Sequence, residues 1–125
     1  MEYVDGFVIA IPKKNLKAYK KMAELGAKIW KKHGALEYYE CLGDDLNPKG
    51  DPNVQPAKFT ELAKTKSNET VIFSFIVYKS KTHRNKVNAA VMKDSAMTPE
   101  NMKDMSMPFD MNRMAYGGFK VIVTK

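Results

Sequence analysis

The sequence has little cysteine, histidine and arginine, and it has no long apolar run. Cys41 is the one cysteine, so an internal disulfide is excluded, and a lone thiol suits a reducing compartment. No uninterrupted apolar run approaches the ~20 residues that a membrane-spanning helix needs. The stretch from Met1 to Asp5 carries acids where a secretory signal carries a positive charge. These features predict a cytoplasmic protein.

Residues that hold metals or nucleotides are few and scattered. The two histidines, His33 and His83, do not have the spacing of a zinc site with each other or with Cys41. Neither a Gly-Lys-Ser loop nor a Gly-x-Gly-x-x-Gly fingerprint occurs. Asp44 and Asp45 follow a glycine, which is typical of a turn, although paired carboxylates also suit a hard cation. The sequence therefore predicts no cofactor and no metal site.

The positive charge comes almost entirely from lysine. The formal net charge is +7, and only Arg84 and Arg113 among the 21 basic residues are arginines. Lysine is less suited than arginine to bidentate recognition of phosphates or bases, so one interpretation is a solvated, lysine-biased surface. The other is a face that binds polyanions such as RNA. Its candidate contacts lie on the first predicted helix and are Lys17, Lys20, Lys21 and Lys28.

Hydrophobic spacing divides the chain into alternating strands and helices. At 125 residues with 44% hydrophobic content, the chain has the size of one domain, residues 1–125. Alternation and helical periodicity predict strands at Tyr3–Ile11, Ala35–Leu42, Val71–Tyr78 and Tyr116–Val123, and helices at Pro12–His33 and Lys81–Asp94. Thr82 is a candidate cap for the second helix, and Gly34 a candidate end for the first.

The segments between these elements predict less regular structure. Three prolines make Leu46–Pro56 an exposed loop, and Phe59–Lys64 fits a short helix or an edge strand. Thr98–Glu100 resembles a further helix start. The methionines around it, Met97, Met102, Met105 and Met107, suit irregular gaps in a core or interface.

The order βαββαβ predicts an α+β fold with a split arrangement, in which two helices pack on one face of a four-stranded antiparallel sheet. The first and third strands are apolar on both sides of their pleat, so the second face of the sheet must also be covered. A second copy of the chain would cover it and make a homodimer through the open sheet face. The alternative is a segment of the same chain, either Leu46–Lys64 or Met97–Met107.

An acid, a base and a phenol near strand ends form the candidate catalytic group. Asp5 lies in an apolar strand, where an unpaired carboxylate is costly, and the last strand is expected beside it. We expect Asp5 to pair with Arg113, with the Tyr116 hydroxyl nearby. The pair could be a structural salt bridge that holds the C-terminal motif. It could also lie in a cleft, where a buried carboxylate can act as a general base.

Other residues complete the predicted cleft between sheet and loops. The pair Gly117-Gly118 inside a strand indicates a bulge or a close approach to the backbone, either by a ligand or by an aromatic ring such as Trp30. Asp110 could border the cleft or cap the turn before Arg113. Cys41 is expected to be a buried structural thiol. The candidate cleft residues are Tyr3, Glu40, Asp110, Gly117 and Gly118.

Several motifs, read together, resemble one family from end to end. They are Tyr3–Phe7, His33–Leu36, Glu40–Asp45, Glu69–Val71, Met107–Asp110 and Arg113–Phe119. In this order they are similar to the bacterial domain-of-unknown-function family 1428. The resemblance implies a ferredoxin-like fold of the dimeric α/β-barrel type, and it implies no particular reaction.

Three functions are compatible with these features. The first is a dimeric protein with a small-molecule cleft, which could be an enzyme without a cofactor, as some proteins of this fold type are. The second is an RNA-associated protein that uses the lysine-rich helix. The third is a structural or interaction module without catalysis.

Overall fold

A four-stranded antiparallel sheet organises the protein, of which the computed structural model describes residues 1–98, 100 and 107–125. The strands are β1 (Tyr3–Pro12), β2 (Glu37–Leu42), β3 (Glu69–Tyr78) and β4 (Ala115–Lys120). Their order across the sheet is β2-β3-β1-β4, and every neighbouring pair is antiparallel. The strands richest in β-branched and aromatic residues are central. This topology confirms the predicted ferredoxin-like α+β fold.

The helices follow the predicted pattern with small shifts at their ends. They are α1 (Leu16–Lys32), α2 (Phe59–Leu62) and α3 (Lys81–Met92). Gly34 follows α1 with φ of 113°, the left-handed conformation that lets glycine end a helix. The prediction that Thr82 caps α3 is wrong, because Ser80 Oγ accepts the backbone N–H of His83 at 3.0 Å. The predicted helix start at Thr98–Glu100 includes Pro99, which lies outside the described residues. Met102 and Met105 also lie outside them.

One face of the sheet, the helix face, packs against α1 and α3 and holds two hydrophobic clusters. Ile9, Ile11 and Ile72 pack with residues of α1 such as Tyr19 in the first cluster. The second joins β3 to α3 and to the end of α1, and its members are Ile29, Ala35, Ile76, Tyr78, Val87 and Val91. The two helices therefore cover this face, as the alternating pattern predicts.

The opposite face of the sheet, the open face, is covered at one end. Ala63 and Leu46 pack there against Ala10 and Val71, so the Leu46–Lys64 segment covers part of this face. Beyond it the face is apolar and accessible. Its aromatic residues are Tyr39, Phe73, Phe75 and Phe119, all but Phe75 exposed and Phe75 half-buried.

Cys41 lies on this open face, opposite Phe73 in the pairing of β2 with β3. The thiol is exposed, so the prediction of a buried structural cysteine is wrong for the single chain. The physical reason is position, because Cys41 is on an edge strand and its face lies beyond the cover that Leu46 and Ala63 provide.

Candidate ligand cavity and buried polar network

A cavity of about 300 Å³, here called the inner cavity, lies between α1 and the helix face of the sheet. Its walls come from both hydrophobic clusters, so it separates the two halves of the core. Aromatic rings and methionines make up much of the lining. They are Phe7, Tyr19, Trp30, Tyr38 and Phe109, and Met22, Met97, Met107, Met111 and Met114.

One carboxylate enters this apolar wall. Glu40 points to the helix face because it alternates with the outward-facing Tyr39 along β2. Its Oε1 accepts the Tyr19 hydroxyl at 2.6 Å, and its Oε2 accepts the Tyr38 hydroxyl at 2.8 Å. Ser74 lies directly opposite Glu40 on β3 and also borders the cavity. Glu40 was predicted as a ligand-cleft residue; it borders the inner cavity and accepts hydrogen bonds from two phenols, and its role in ligand binding stays a prediction.

The two phenols stay protonated at physiological pH. Burial, followed by the hydrogen bond to Glu40, raises the pKa of Tyr19 well above its usual value of 10.0. Burial, followed by the charge of Glu40, raises the pKa of Tyr38 in the same direction. Each hydroxyl therefore remains a donor, and each carboxylate oxygen keeps capacity for a further donor.

The Tyr38 hydroxyl, which donates to Glu40, lies close to α1 at Gly26, where there is no side chain. A Cβ placed on Gly26 would lie 2.8 Å from the Tyr38 hydroxyl oxygen and 3.7 Å from the ring carbon that carries it. The hydroxyl is thus the one atom of this ring that a side chain at Gly26 would displace. Glycine in the middle of a helix otherwise costs about 1 kcal/mol relative to alanine.

We expect Gly26→Ala to be less favourable in the wild type than in Tyr38→Phe. In the wild type, the alanine side chain displaces the Tyr38 hydroxyl from Glu40. The loss of that hydrogen bond offsets the stability gained from the higher helix propensity of alanine. In Tyr38→Phe, the hydroxyl is absent, and alanine should raise the free energy of unfolding by up to about 1 kcal/mol. Urea unfolding of the four proteins measures this coupling. Equal effects of alanine in both backgrounds would contradict the contact.

A second, more open concavity of about 410 Å³ adjoins the first along α1. The two share Tyr19, Ala23, Tyr38 and Glu40 in their walls. The Glu40 group therefore borders both the inner cavity and a concavity that includes the exposed Lys20.

The far wall of the inner cavity is attached to the end of α1. Asp94 accepts from Lys32 Nζ at 3.0 Å, lies 2.7 Å from His33 Nε2, and caps the turn Ser95–Met97 through the Ala96 N–H. These contacts hold the pKa of Asp94 below its usual range. They fix a turn whose alanine and methionine line the cavity.

A second polar network lies between α3 and the helix face and meets the cavity wall at Trp30. Asp5 is only 1% exposed, and the nearest guanidinium belongs to Arg84, with Nη1 at 3.7 Å from Oδ1. Arg84 donates to the hydroxyls of Tyr116 at 3.1 Å and Tyr3 at 3.4 Å. Within the described residues, neither Asp5 Oδ1 nor Arg84 Nε has a hydrogen-bond partner.

Burial raises the pKa of Asp5, and the charge of Arg84 opposes that shift, with smaller contributions from Tyr116, Asn88 and Tyr78. The network includes Asn88 Oδ1, which accepts from Trp30 Nε1 at 3.1 Å and from the Tyr78 hydroxyl at 3.3 Å. It therefore ties α3 to α1 and to the sheet through groups that are costly to bury singly.

The predicted pair of Asp5 and Arg113 is wrong. Asp5 lies opposite Gly118 in the register of β1 with β4, and Arg113 comes five residues earlier. Arg113 also precedes β4, in the turn Met111–Arg113, and so is not among the residues paired with β1. Arg113 instead forms a bidentate pair with Glu69, with both N···O distances 2.8 Å, and donates to the Lys64 carbonyl. Tyr116 does lie beside Asp5, as predicted.

The remaining candidate residues have separate positions. Tyr3 packs on Gly118, where an added Cβ would overlap the ring, so the glycine pair serves a close approach, by Tyr3 and not by Trp30. No bulge interrupts the register there. Asp110 caps its turn by accepting the Asn112 N–H at 3.0 Å. Tyr3, Asp110, Gly117 and Gly118 are not among the residues that line either concavity.

The lysines proposed for RNA, Lys17, Lys20, Lys21 and Lys28, are all exposed on α1. A role for them in RNA binding, like a catalytic role for Asp5 and Tyr116, stays a prediction. In residues 1–98, 100 and 107–125, no group of three or more histidine, cysteine or acidic side chains is placed to hold a metal. In the same residues, no helix is long and apolar enough to cross a membrane.

Arg84 and the two Glu40 phenols were not identified from the sequence. A signal for Arg84 existed, because Arg84, Val87, Asn88 and Val91 share the i, i+3, i+4, i+7 spacing of a buried helix stripe. An arginine and an asparagine inside such a stripe indicate a buried polar network. Tyr19 also lies in an apolar stripe, but its partner on β2 depends on tertiary packing.

Comparison with known proteins agrees with this fold. The family described as "Protein of unknown function (DUF1428)" matches residues 2–111. The "Uncharacterized protein YbaA" of Escherichia coli K12 is 41% identical over 123 residues, which is 98% of each chain, and the protein of that name from Shigella flexneri has the same identity and coverage. A solved structure described as a dimeric ferredoxin-like protein, from an uncultured marine organism, covers 100% of both chains with a TM-score of 0.58 and 12% identity, which shows the fold alone. The chain therefore belongs to the DUF1428 family, as its motifs indicate.

Proposed function

We propose that this protein is a homodimer whose subunits each bind a small, largely apolar molecule in the inner cavity. The observation that carries the proposal is a cavity of about 300 Å³ whose described walls are largely apolar, with one polar group formed by the Glu40 carboxylate, its two phenols and the neighbouring Ser74. Ligand pockets of about 300–1,000 Å³ combine apolar walls with a few placed polar groups in the same way.

The rings and methionines of the wall support binding of varied shapes. Methionine side chains are flexible and polarizable, so they adapt to a ligand, and aromatic rings give it large flat contacts. The same region contains the Glu40 group, which fixes orientation. A polar group of this kind at one point of an apolar wall sets specificity more than affinity.

The accessible part of the open face supports a second copy of the chain as its cover. A contiguous aromatic surface of this kind typically marks a protein interface. The solved protein of the same fold is described as dimeric, which favours self-association. In that arrangement two sheets face each other, and the two inner cavities lie on the outer sides.

Filling the inner cavity should weaken ligand binding without unfolding the protein. Ala23 is buried and borders the cavity, so Ala23→Leu adds three carbon atoms inside it. Titration with the neutral probe 2-phenylethanol, followed by amide shifts in NMR spectra, should map binding to α1 and β2 in the wild type. We expect at least about a tenfold loss of affinity in Ala23→Leu, the equivalent of 1.4 kcal/mol.

Ala18→Leu is the matched control, because Ala18 is on the same helix and exposed. It should leave the titration unchanged. If the cavity variant fails to fold, Ala96→Leu fills the opposite wall and should give the same loss. Shifts confined to the open face, or no shifts up to the solubility limit of the probe, would show that the inner cavity is not a binding site.

A further inference from the structure

The inner cavity contains acceptors and aromatic faces but no basic group among its described lining residues. Glu40 supplies the charge, and both of the phenols beside it already donate to it. The Ser74 hydroxyl in the same wall hydrogen-bonds with Tyr19. The hydrogen-bonding capacity left to a ligand is therefore mainly that of an acceptor, the unused lone pairs of the carboxylate.

We propose that the ligand of the inner cavity is a cationic amphiphile, an amine or ammonium group on an aromatic or branched hydrocarbon body. This inference rests on the proposed function and names the class of molecule bound. The ammonium donates to the Glu40 carboxylate, and the hydrocarbon occupies the space between the two core clusters.

The geometry favours a cation over a neutral alcohol for two reasons. An ammonium adds a direct Coulomb attraction between its own charge and the Glu40 carboxylate, whereas a hydroxyl makes the hydrogen bond alone. Trp30 also lines this cavity, and an aromatic ring attracts a cation that lies over its face within about 6 Å. An anion would instead meet the carboxylate in an apolar wall, where repulsion is poorly screened.

The positive surface charge opposes the preference for a cationic ligand, but its effect is weaker than that of Glu40. The net charge is +7, and the exposed Lys20 borders the adjoining concavity. Exposed lysines are solvated, and salt screens them beyond about 8 Å at physiological ionic strength. Contact with Glu40 is direct and lies in a partly buried site, so it decides the sign of the selectivity. Added salt should consequently weaken amine binding little.

Three probes of similar shape test the inference: 2-phenylethylamine, 2-phenylethanol and phenylacetate. In the wild type at pH 7, NMR titration should show the amine binding about tenfold more tightly than the alcohol, and the acid more weakly than both. In Glu40→Gln, the amine should lose its advantage while the alcohol still binds. That pattern separates the charge of Glu40 from the shape of the cavity.

Tyr38→Phe provides a second variant that keeps the carboxylate. It removes one donor from Glu40 Oε2, so the preference for the amine should be kept or increased. Alcohol binding without amine preference, or a preference that survives Glu40→Gln, would overturn the inference and leave the proposed function intact. Failure of all three probes to bind the wild type would overturn both.

Discussion

Replacing Arg84 by methionine should destabilise the protein by about 3–4 kcal/mol at pH 7. The Asp5 carboxyl would remain buried without its cation, and breaking a buried ion pair in this way costs about 3–5 kcal/mol. Protonation limits the cost. Protonating a carboxyl of ordinary pKa 3.8 at pH 7 costs about 1.4 kcal/mol per pH unit, or roughly 4 kcal/mol.

The pH dependence identifies the mechanism. The pKa of Asp5 is higher in the folded protein than its ordinary value, so folding favours the protonated form. The stability that this group contributes is complete below pH 3.8 and falls as the pH rises. Without Arg84 the folded pKa rises further. Lowering the pH from 7 to 5 should therefore shrink the difference in unfolding free energy between wild type and Arg84→Met, by up to about 1.4 kcal/mol per pH unit for the one proton involved.

Arg113→Met is the matched control. It removes the second arginine of the chain from its partner Glu69, whose pKa is lowered in the folded protein, whereas that of Asp5 is raised. The hydrogen bonds from Arg113, followed by that from the Lys66 N–H, lower the pKa of Glu69 to about 2. Stability from Glu69 is complete above its usual value of 4.5 and is lost as the pH falls towards about 2. The free energy of unfolding of Arg113→Met should thus lie below that of the wild type by the same amount from pH 7 to pH 5. Urea unfolding at fixed protein concentration measures the free energy of unfolding of the wild type and of both variants at each pH. If the two variants show the same pH dependence, the buried-charge explanation is refuted.

The sequence predicts the sheet well because alternation and β-branched runs are local signals. β1 and β3 were found within two residues at either end, since both are central and apolar on both faces. β4 was predicted to continue to Val123 because its last residues are apolar, yet pairing with β1 ends at Lys120, opposite Tyr3. Hydrophobic pattern alone does not reveal where the neighbouring strand begins.

The candidate site was harder to predict because its contacts join distant elements. Glu40 was identified as a cleft residue, but its partner Tyr19 comes from α1, 21 residues away in the chain. Asp5 was expected to require a cation, which is correct physically, but Arg84 supplies it from α3. Choosing between the two arginines needs the register of β4 and the rotation of α3, and both are set by packing of the whole domain.

A charge on the open face should convert the proposed dimer to a monomer. Phe73 is 44% exposed in the single chain, so Phe73→Lys should change monomer stability by less than about 1 kcal/mol. In a sheet-to-sheet dimer the same lysine is buried without a partner in both subunits. Because burying an unpaired charge costs several kcal/mol, the dissociation constant should rise at least about a thousandfold.

Sedimentation velocity over a range of concentrations measures this change, and circular dichroism shows that the monomer keeps its fold. Met92→Lys is the control, since Met92 is 62% exposed on α3, away from the open face, and it should leave the dimer intact. The exposed Cys41 gives an independent readout, because it lies opposite Phe73. Its thiol should react slowly with a maleimide in the wild-type dimer and faster in Phe73→Lys. A wild type that sediments as a monomer at 100-fold dilution and at high concentration alike, with a reactive Cys41, would show that something other than a second copy covers this face.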